Sequence, residues 1–198
     1  MDNANDPRAP AGPDIARLVS ALGGRSVVLI GMMGAGKSSV GRRLGRILGL
    51  PFNDVDVEIE HAAGMTIPEI FQEHGEPYFR AGESRVLSRL LAAGQQVLAT
   101  GGGAWIDPAN RAAIAGRGLS VWLKAEPEVL LRRLRRRTDR PLLQTADPEA
   151  SLRTILAARE PVYALADLTV PSRDVAHEQV VTDLVAALDA HFAAAVHG

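Results

Sequence analysis

The segment Gly31-Met-Met-Gly-Ala-Gly36-Lys37-Ser38 has the form G-x-x-x-x-G-K-[ST], and its flanks constrain the fold around it. The apolar run Val27-Val28-Leu29-Ile30 before it reads as a buried strand. Ser39 to Leu50 after it reads as a helix with Val40, Leu44, Ile47 and Leu48 on one face. A strand, a glycine-rich turn and a helix in that order set the N–H groups of Gly34, Ala35, Gly36, Lys37, Ser38 and Ser39 at a helix N-terminus. There, unsatisfied donors and the helix dipole favour a polyphosphate. Lys37 is expected to reach the β- and γ-phosphates, and the Ser38 hydroxyl to ligate Mg²⁺. Lys37 and Lys124 are the only lysines among 22 basic residues, and a compact ammonium suits this position better than a guanidinium.

The remaining chain continues the alternation. Strands are expected near 26–31, 51–54, 96–100, 119–123 and 167–170. Helices are expected over 37–49, over 55–93 with a restart at Thr66-Ile-Pro-Glu69, and over 126–136, 149–164 and 174–194. The last carries Val180, Val181, Leu184, Val185 and Leu188 as an apolar stripe. Short apolar strands separated by helices predict an α/β fold of three layers, a parallel sheet covered on both faces, with ligands at the carboxyl ends of the strands. A short helix over 14–22 precedes the first strand, and residues 1–24 are expected as a mobile extension to a single domain over 25–198.

At 198 residues, 46% apolar, the chain can bury one core. A net charge of −1 provides no general field for nucleic acid or membranes, so small partners are expected. With no cysteine there is no disulfide framework or thiolate metal site. Nothing resembles a signal peptide or a spanning segment, so cytoplasmic residence is expected. The five histidines, His61, His74, His177, His191 and His197, lack ligand spacing and are expected on the surface or at caps.

Two further strand ends carry chemistry. Asp54 and Asp56 would face one side if strand geometry continued, one holding a metal-bound water and the other accepting a proton; either could instead cap the next helix. Gly101-Gly102-Gly103 ends a buried strand, which suggests close backbone approach to a ligand, or else a plain turn. Six arginines fall between 132 and 140. Arg132, Arg133 and Arg135 read as a solvated helix face, whereas the segment from about 137 to 148 reads as a lid that delivers arginine to phosphate. That stretch contains no aromatic to stack on bases, which argues against nucleic acid. Arg80 and Arg159, by spacing alone, read as surface ion-pair residues.

These motifs, together with Gly75-Glu-Pro-Tyr-Phe-Arg80, Arg140-Pro-Leu-Leu143 and Arg159-Glu-Pro-Val-Tyr163, resemble the shikimate kinases, small P-loop kinases related to nucleoside monophosphate kinases. The resemblance spans about residues 25–190. It implies a five-stranded parallel sheet, ATP and shikimate as substrates, Mg²⁺ as cofactor, and transfer to the 3-hydroxyl of shikimate on the way to chorismate and the aromatic amino acids. A monomer without nucleic-acid or membrane partners is expected. By position, Lys37, Asp56 and Arg140 are implied as catalytic, and Ser38 and Asp54 at the metal. Asp56, Arg80, Gly101, Gly102, Gly103 and Arg159 are implied at shikimate. Arg140 and Arg173 are implied at ATP, with Arg137 or Arg136 against adenine. The lid departs from the family in its shortness, and the loop Val170-Pro-Ser-Arg173 matches it loosely. A gluconate kinase-like enzyme and a non-catalytic ATP-sensing regulator are the rival readings. The regulator predicts damage to the catalytic set, which is intact.

Overall fold

A computed structural model describes residues 13–135 and 147–196. Its centre is a parallel sheet of five strands in the order β2-β3-β1-β4-β5. The strands are β1 (Ser26–Ile30), β2 (Phe52–Asp54), β3 (Val97–Ala99), β4 (Gly118–Lys124) and β5 (Leu168–Pro171). Successive residues of β1 serve opposite faces: Val27 and Leu29 enter one apolar cluster, Val28 and Ile30 the other. This two-sided burial explains why the strand is a continuous apolar run rather than an alternating one.

The first face is covered by α1 (Ile15–Ala21), α2 (Lys37–Leu48) and α8 (His177–Val196), through Leu18, Val40, Leu44, Leu184 and Leu188; the partly exposed α6 (Pro127–Leu134) adds Leu130. The opposite face is covered by α3 (Val55–Ala63), α4 (Ile67–Ala92), α5 (Pro108–Arg117) and the end of α7 (Pro148–Tyr163), through Ile59, Ile70, Leu87, Ile114 and Tyr163. The chain therefore leaves β1 toward one face and leaves β3 toward the other. Because β1 and β3 are neighbours, with Leu29 opposite Ala99, their following loops part at a crevice, where open α/β sheets bind ligands.

Several expectations shift. Residues 15–22 are not a loose tail: Leu18 and Leu22 are buried in the first cluster and Gln95 Nε2 donates to the Val19 carbonyl, so the domain begins before residue 25. Strand geometry stops at Asp54, and Asp56 lies in the first turn of α3. Helix α5, started by the Asp107 cap and Pro108, was not foreseen. The Thr66/Glu69 capping box forms as expected, but α4 also kinks at Gly75, whose φ of 78° and ψ of 174° only glycine adopts readily.

Candidate active site

On the β1 side of the crevice, Gly34 and Gly36 take positive φ of 81° and 90°, and Gly36 caps α2. Lys37 is buried, and its Nζ donates to the Gly31 and Met32 carbonyls at 2.8 and 2.9 Å. The outer side of the loop is strapped down. Arg133 Nη1 donates to the Gly34 carbonyl (3.2 Å) and to Ser172 Oγ (3.0 Å), while Ser172 Oγ donates to the Ala35 carbonyl (2.8 Å). Arg133 Nη2 also donates to the Arg173 carbonyl at 2.7 Å. Arg133 is thus not on a solvated face, as expected of it, because the last turns of α6 run beside the loop. Arg132 is on the surface, paired with Asp174.

Asp54 divides its oxygens. Oδ1 accepts from the Asp56 N–H at 3.1 Å as the cap of α3, and Oδ2 accepts from Ser38 Oγ at 2.5 Å. One carboxylate thus caps α3 and holds the Ser38 hydroxyl, and the cap fixes where Asp56 starts its helix. Asp54, Asp56, Ser38, Ser39, Lys37, Gly34, Gly36 and Gly102 line one open cleft of about 380 Å³, a volume suited to a small ligand.

The glycine run after β3 is packed from outside by charged side chains. A Cβ on Gly101 would lie 2.7 Å from Asp56 Oδ1 and 2.8 Å from Glu83 Oε1. A Cβ on Gly103 would lie 2.6 Å from Arg80 Nη1. None of the three needs positive φ, so at Gly101 and Gly103 a side chain would conflict with these charged groups rather than with the backbone conformation. Arg80 Nη1 pairs with Glu83 Oε2 at 2.8 Å, and Arg80 Nη2 with Glu76 at 3.0 Å. From the other direction, Arg159 Nη1 donates to the Gly102 carbonyl at 3.3 Å, and Tyr163 OH donates to the same oxygen at 2.5 Å. Trp105 Nε1 donates to the Val162 carbonyl at 2.9 Å, which fixes the last turn of α7 and with it Arg159. Two guanidinium groups therefore flank one short peptide segment, a geometry for gripping a carboxylate with forked donors.

Glu83 is the residue the sequence did not announce. It is 1% exposed, and its Oε1 has no hydrogen-bond partner among the described residues. Burial pushes its carboxyl above the usual carboxylate range; Arg80 pulls it down, and the nearby Asp56 and Asp107 push it up again. A buried oxygen left unpaired beside Asp56 and Gly101 points to a ligand hydroxyl as its missing donor.

Of the expected residues, the fold brings together Gly34, Ala35, Gly36, Lys37, Ser38, Ser39, Asp54 and Asp56 with the Gly101–Gly103 run, Arg80 and Arg159. Arg173 is turned away: its guanidinium pairs with Asp183 on α8, and Asp174, Val175 and His177 line the cleft instead. Arg136, Arg137, Arg140 and the lid segment up to 146 lie outside the described residues. Besides Glu83, the unforeseen participants are Arg133, Ser172, Tyr163 and His177. Of these, only Ser172 and Tyr163 belonged to motifs already singled out.

Comparison with known proteins agrees with this geometry. The family model for shikimate kinase matches residues 33–189. A shikimate kinase of Bradyrhizobium diazoefficiens is 59% identical over 176 residues, covering 89% of this chain and 85% of that protein. The solved shikimate kinase of Acinetobacter baumannii, in complex with shikimate, has a TM-score of 0.79 and 40% identity, with 84% of this chain and 94% of that chain covered. A gluconokinase of Sinorhizobium meliloti reaches a TM-score of only 0.53 at 22% identity, over 87% of this chain and 95% of that chain, a likeness of fold alone. This chain belongs to the shikimate kinase family.

Proposed function

We propose that this protein transfers the γ-phosphoryl group of ATP to the 3-hydroxyl of shikimate, as a Mg²⁺-dependent small-molecule kinase of the cytoplasm acting as a monomer. The observation that carries the reading is one juxtaposition: Asp56, in the cleft beside the phosphate loop, also touches the glycine run that Arg80 and Arg159 flank. A phosphoryl donor and a carboxylate-bearing alcohol can thus be held side by side. No described helix is long and apolar enough to cross a membrane.

The loop N–H groups from Gly34 to Ser39 hold the phosphates, and Lys37, already at the loop, neutralises the γ-phosphoryl. Ser38 Oγ and Asp54 Oδ2 lie side by side and, as hard oxygen donors, would hold a Mg²⁺ ion. That ion would supply positive charge to neutralise the nucleotide phosphates. Arg80 and Arg159 bind the shikimate carboxylate, and Glu83 holds Arg80 in place while its free Oε1 accepts from a ring hydroxyl. Asp56 accepts the proton of the 3-hydroxyl as that oxygen bonds to the γ-phosphorus; the bond from phosphorus to the β,γ-bridging oxygen breaks, and ADP leaves. Arg140, and Arg137 or Arg136, carry over from the resemblance as lid contacts to the phosphates and adenine.

A coupled ADP-release assay with shikimate, gluconate and nucleoside monophosphates as acceptors tests this reading. Turnover is expected with shikimate and Mg·ATP, and turnover with gluconate in preference to shikimate would refute it.

A further inference from the structure

His177 is the first residue of α8, and it is neither on the open surface nor a cap, as expected of the histidines. It enters the nucleotide side of the cleft from the β5–α8 connection, half-buried. From the position a Cβ on Gly36 would take, its Nε2 lies 3.4 Å away and Arg133 Nη1 lies 3.7 Å away. An imidazole nitrogen and a guanidinium therefore meet over the residue that caps α2, immediately before Lys37. The charged groups around the ring are Arg133 from α6, Arg43 from α2 and Glu178 from α8. Lys37, Asp54, Asp56 and Asp174 line the same cleft. Glu178 is itself paired with Arg43 at 2.7 Å, so its influence on the ring is partly spent. The transfer step described above uses no imidazole.

We propose that His177 is a nucleotide-binding residue whose imidazole takes up a proton when the phosphate chain enters the loop, so that nucleotide binding and protonation are linked. The proposal rests on the reading of Gly31–Ser38 as the nucleotide site. In the free protein, burial and then the cationic Arg133 and Arg43 disfavour imidazolium and hold His177 below its ordinary range, with Glu178 opposing. Polyphosphate bound on the Gly36–Ser39 amides brings several negative charges within a few ångströms and reverses that field. Linkage is reciprocal: if the nucleotide favours the proton, the proton favours the nucleotide. Each unit by which bound nucleotide raises the imidazole value makes binding about tenfold tighter below that range than above it.

The test is calorimetric titration of MgADP into the full-length protein near pH 6.5, the ordinary imidazole value, in two buffers of different ionisation enthalpy. Wild type and His177→Gln are compared. The wild type is expected to take up a substantial fraction of a proton, roughly 0.3–1 per nucleotide bound, with affinity increasing as pH falls. The Gln variant is expected to lose both effects. Equal uptake in the two proteins would overturn the proposal. Histidine ring NMR on the wild type gives a second readout that needs no variant: one imidazole should titrate at higher pH with MgADP than without it, and the absence of any such shift would also overturn the proposal. Failure of MgADP to bind the wild type at all would refute the nucleotide reading of the loop itself, and the proposal with it.

Discussion

The phosphate loop takes its groups from consecutive residues, Gly31 to Ser38, on two adjoining elements. The proposed acceptor side draws Asp56, Arg80, Glu83, the Gly101–Gly103 run and Arg159 from four separate segments. The first is a backbone device. Positive φ at Gly34 and Gly36, two carbonyls holding Lys37, and the Arg133–Ser172 strap set it before any ligand arrives. The second is a side-chain device, in which a carboxylate that is 1% exposed, with one oxygen unpaired among the described residues, is paired with Arg80. A site of local origin is rigid at little cost to the rest of the fold, whereas one assembled from distant segments needs the whole core to hold its geometry. It also retains an unsatisfied group that substrate can complete.

Substitutions on the two sides should therefore separate. The largest effect is expected from Asp56→Asn, which removes the proton acceptor while keeping its shape. kcat should fall by ~10²–10⁴-fold with MgADP affinity nearly unchanged, measured by steady-state kinetics beside calorimetry; turnover at the wild-type rate would rule out the base role. Glu83→Gln comes next. Arg80 loses its buried anchor, and the Michaelis constant for shikimate should rise on the order of tenfold, about the worth of one charge-assisted hydrogen bond, while that for ATP stays put.

Glu83 also has a pH signature. Its folded-state value lies above the ordinary 4.5, burial being the main cause, so the native state binds that proton more tightly than the unfolded chain does. The stability it contributes is fully present below the unfolded value and is lost as pH rises through the folded one. The melting temperature of the wild type relative to Glu83→Gln should therefore fall as pH rises from below 4.5 toward neutrality. A constant difference across that range would show that Glu83 is not perturbed. The smallest effect belongs to the strap: Ser172→Ala removes the hydrogen bond to the Ala35 carbonyl and the one accepted from Arg133, which keeps its bonds to the Gly34 and Arg173 carbonyls. It should weaken MgADP binding only a few-fold, because Arg133 still holds the loop, and leave shikimate binding unchanged.

Most of the nucleotide side could be read from the chain, because its information is contiguous: glycine spacing, one lysine and the flanking periodicity. The sheet followed from five apolar runs, and the restart of α4 from Thr66 and Glu69. On the proposed acceptor side, Arg80 and Arg159 stood out only where a motif carried a resemblance; spacing alone made both surface ion-pair residues, and Arg80 does pair with Glu76 and Glu83. Glu83 stayed hidden because one acidic residue in a long helix looks like a solvated charge until the fold buries it under Gly101. Arg133 and His177 were misplaced for a related reason. Helix periodicity says which face is polar, but not that the phosphate loop lies against that face. Asp56 reaches the cleft by a geometry other than the strand expected of it, since the chain turns into α3 directly after Asp54.

The two-sided construction is tested most directly by calorimetry on Arg159→Ala, with shikimate and MgADP titrated separately. Shikimate affinity is expected to fall by roughly 10–100-fold, the worth of a charge-assisted contact to a carboxylate, while MgADP affinity is unchanged. Unchanged shikimate binding, or an equal loss for both ligands, would contradict it.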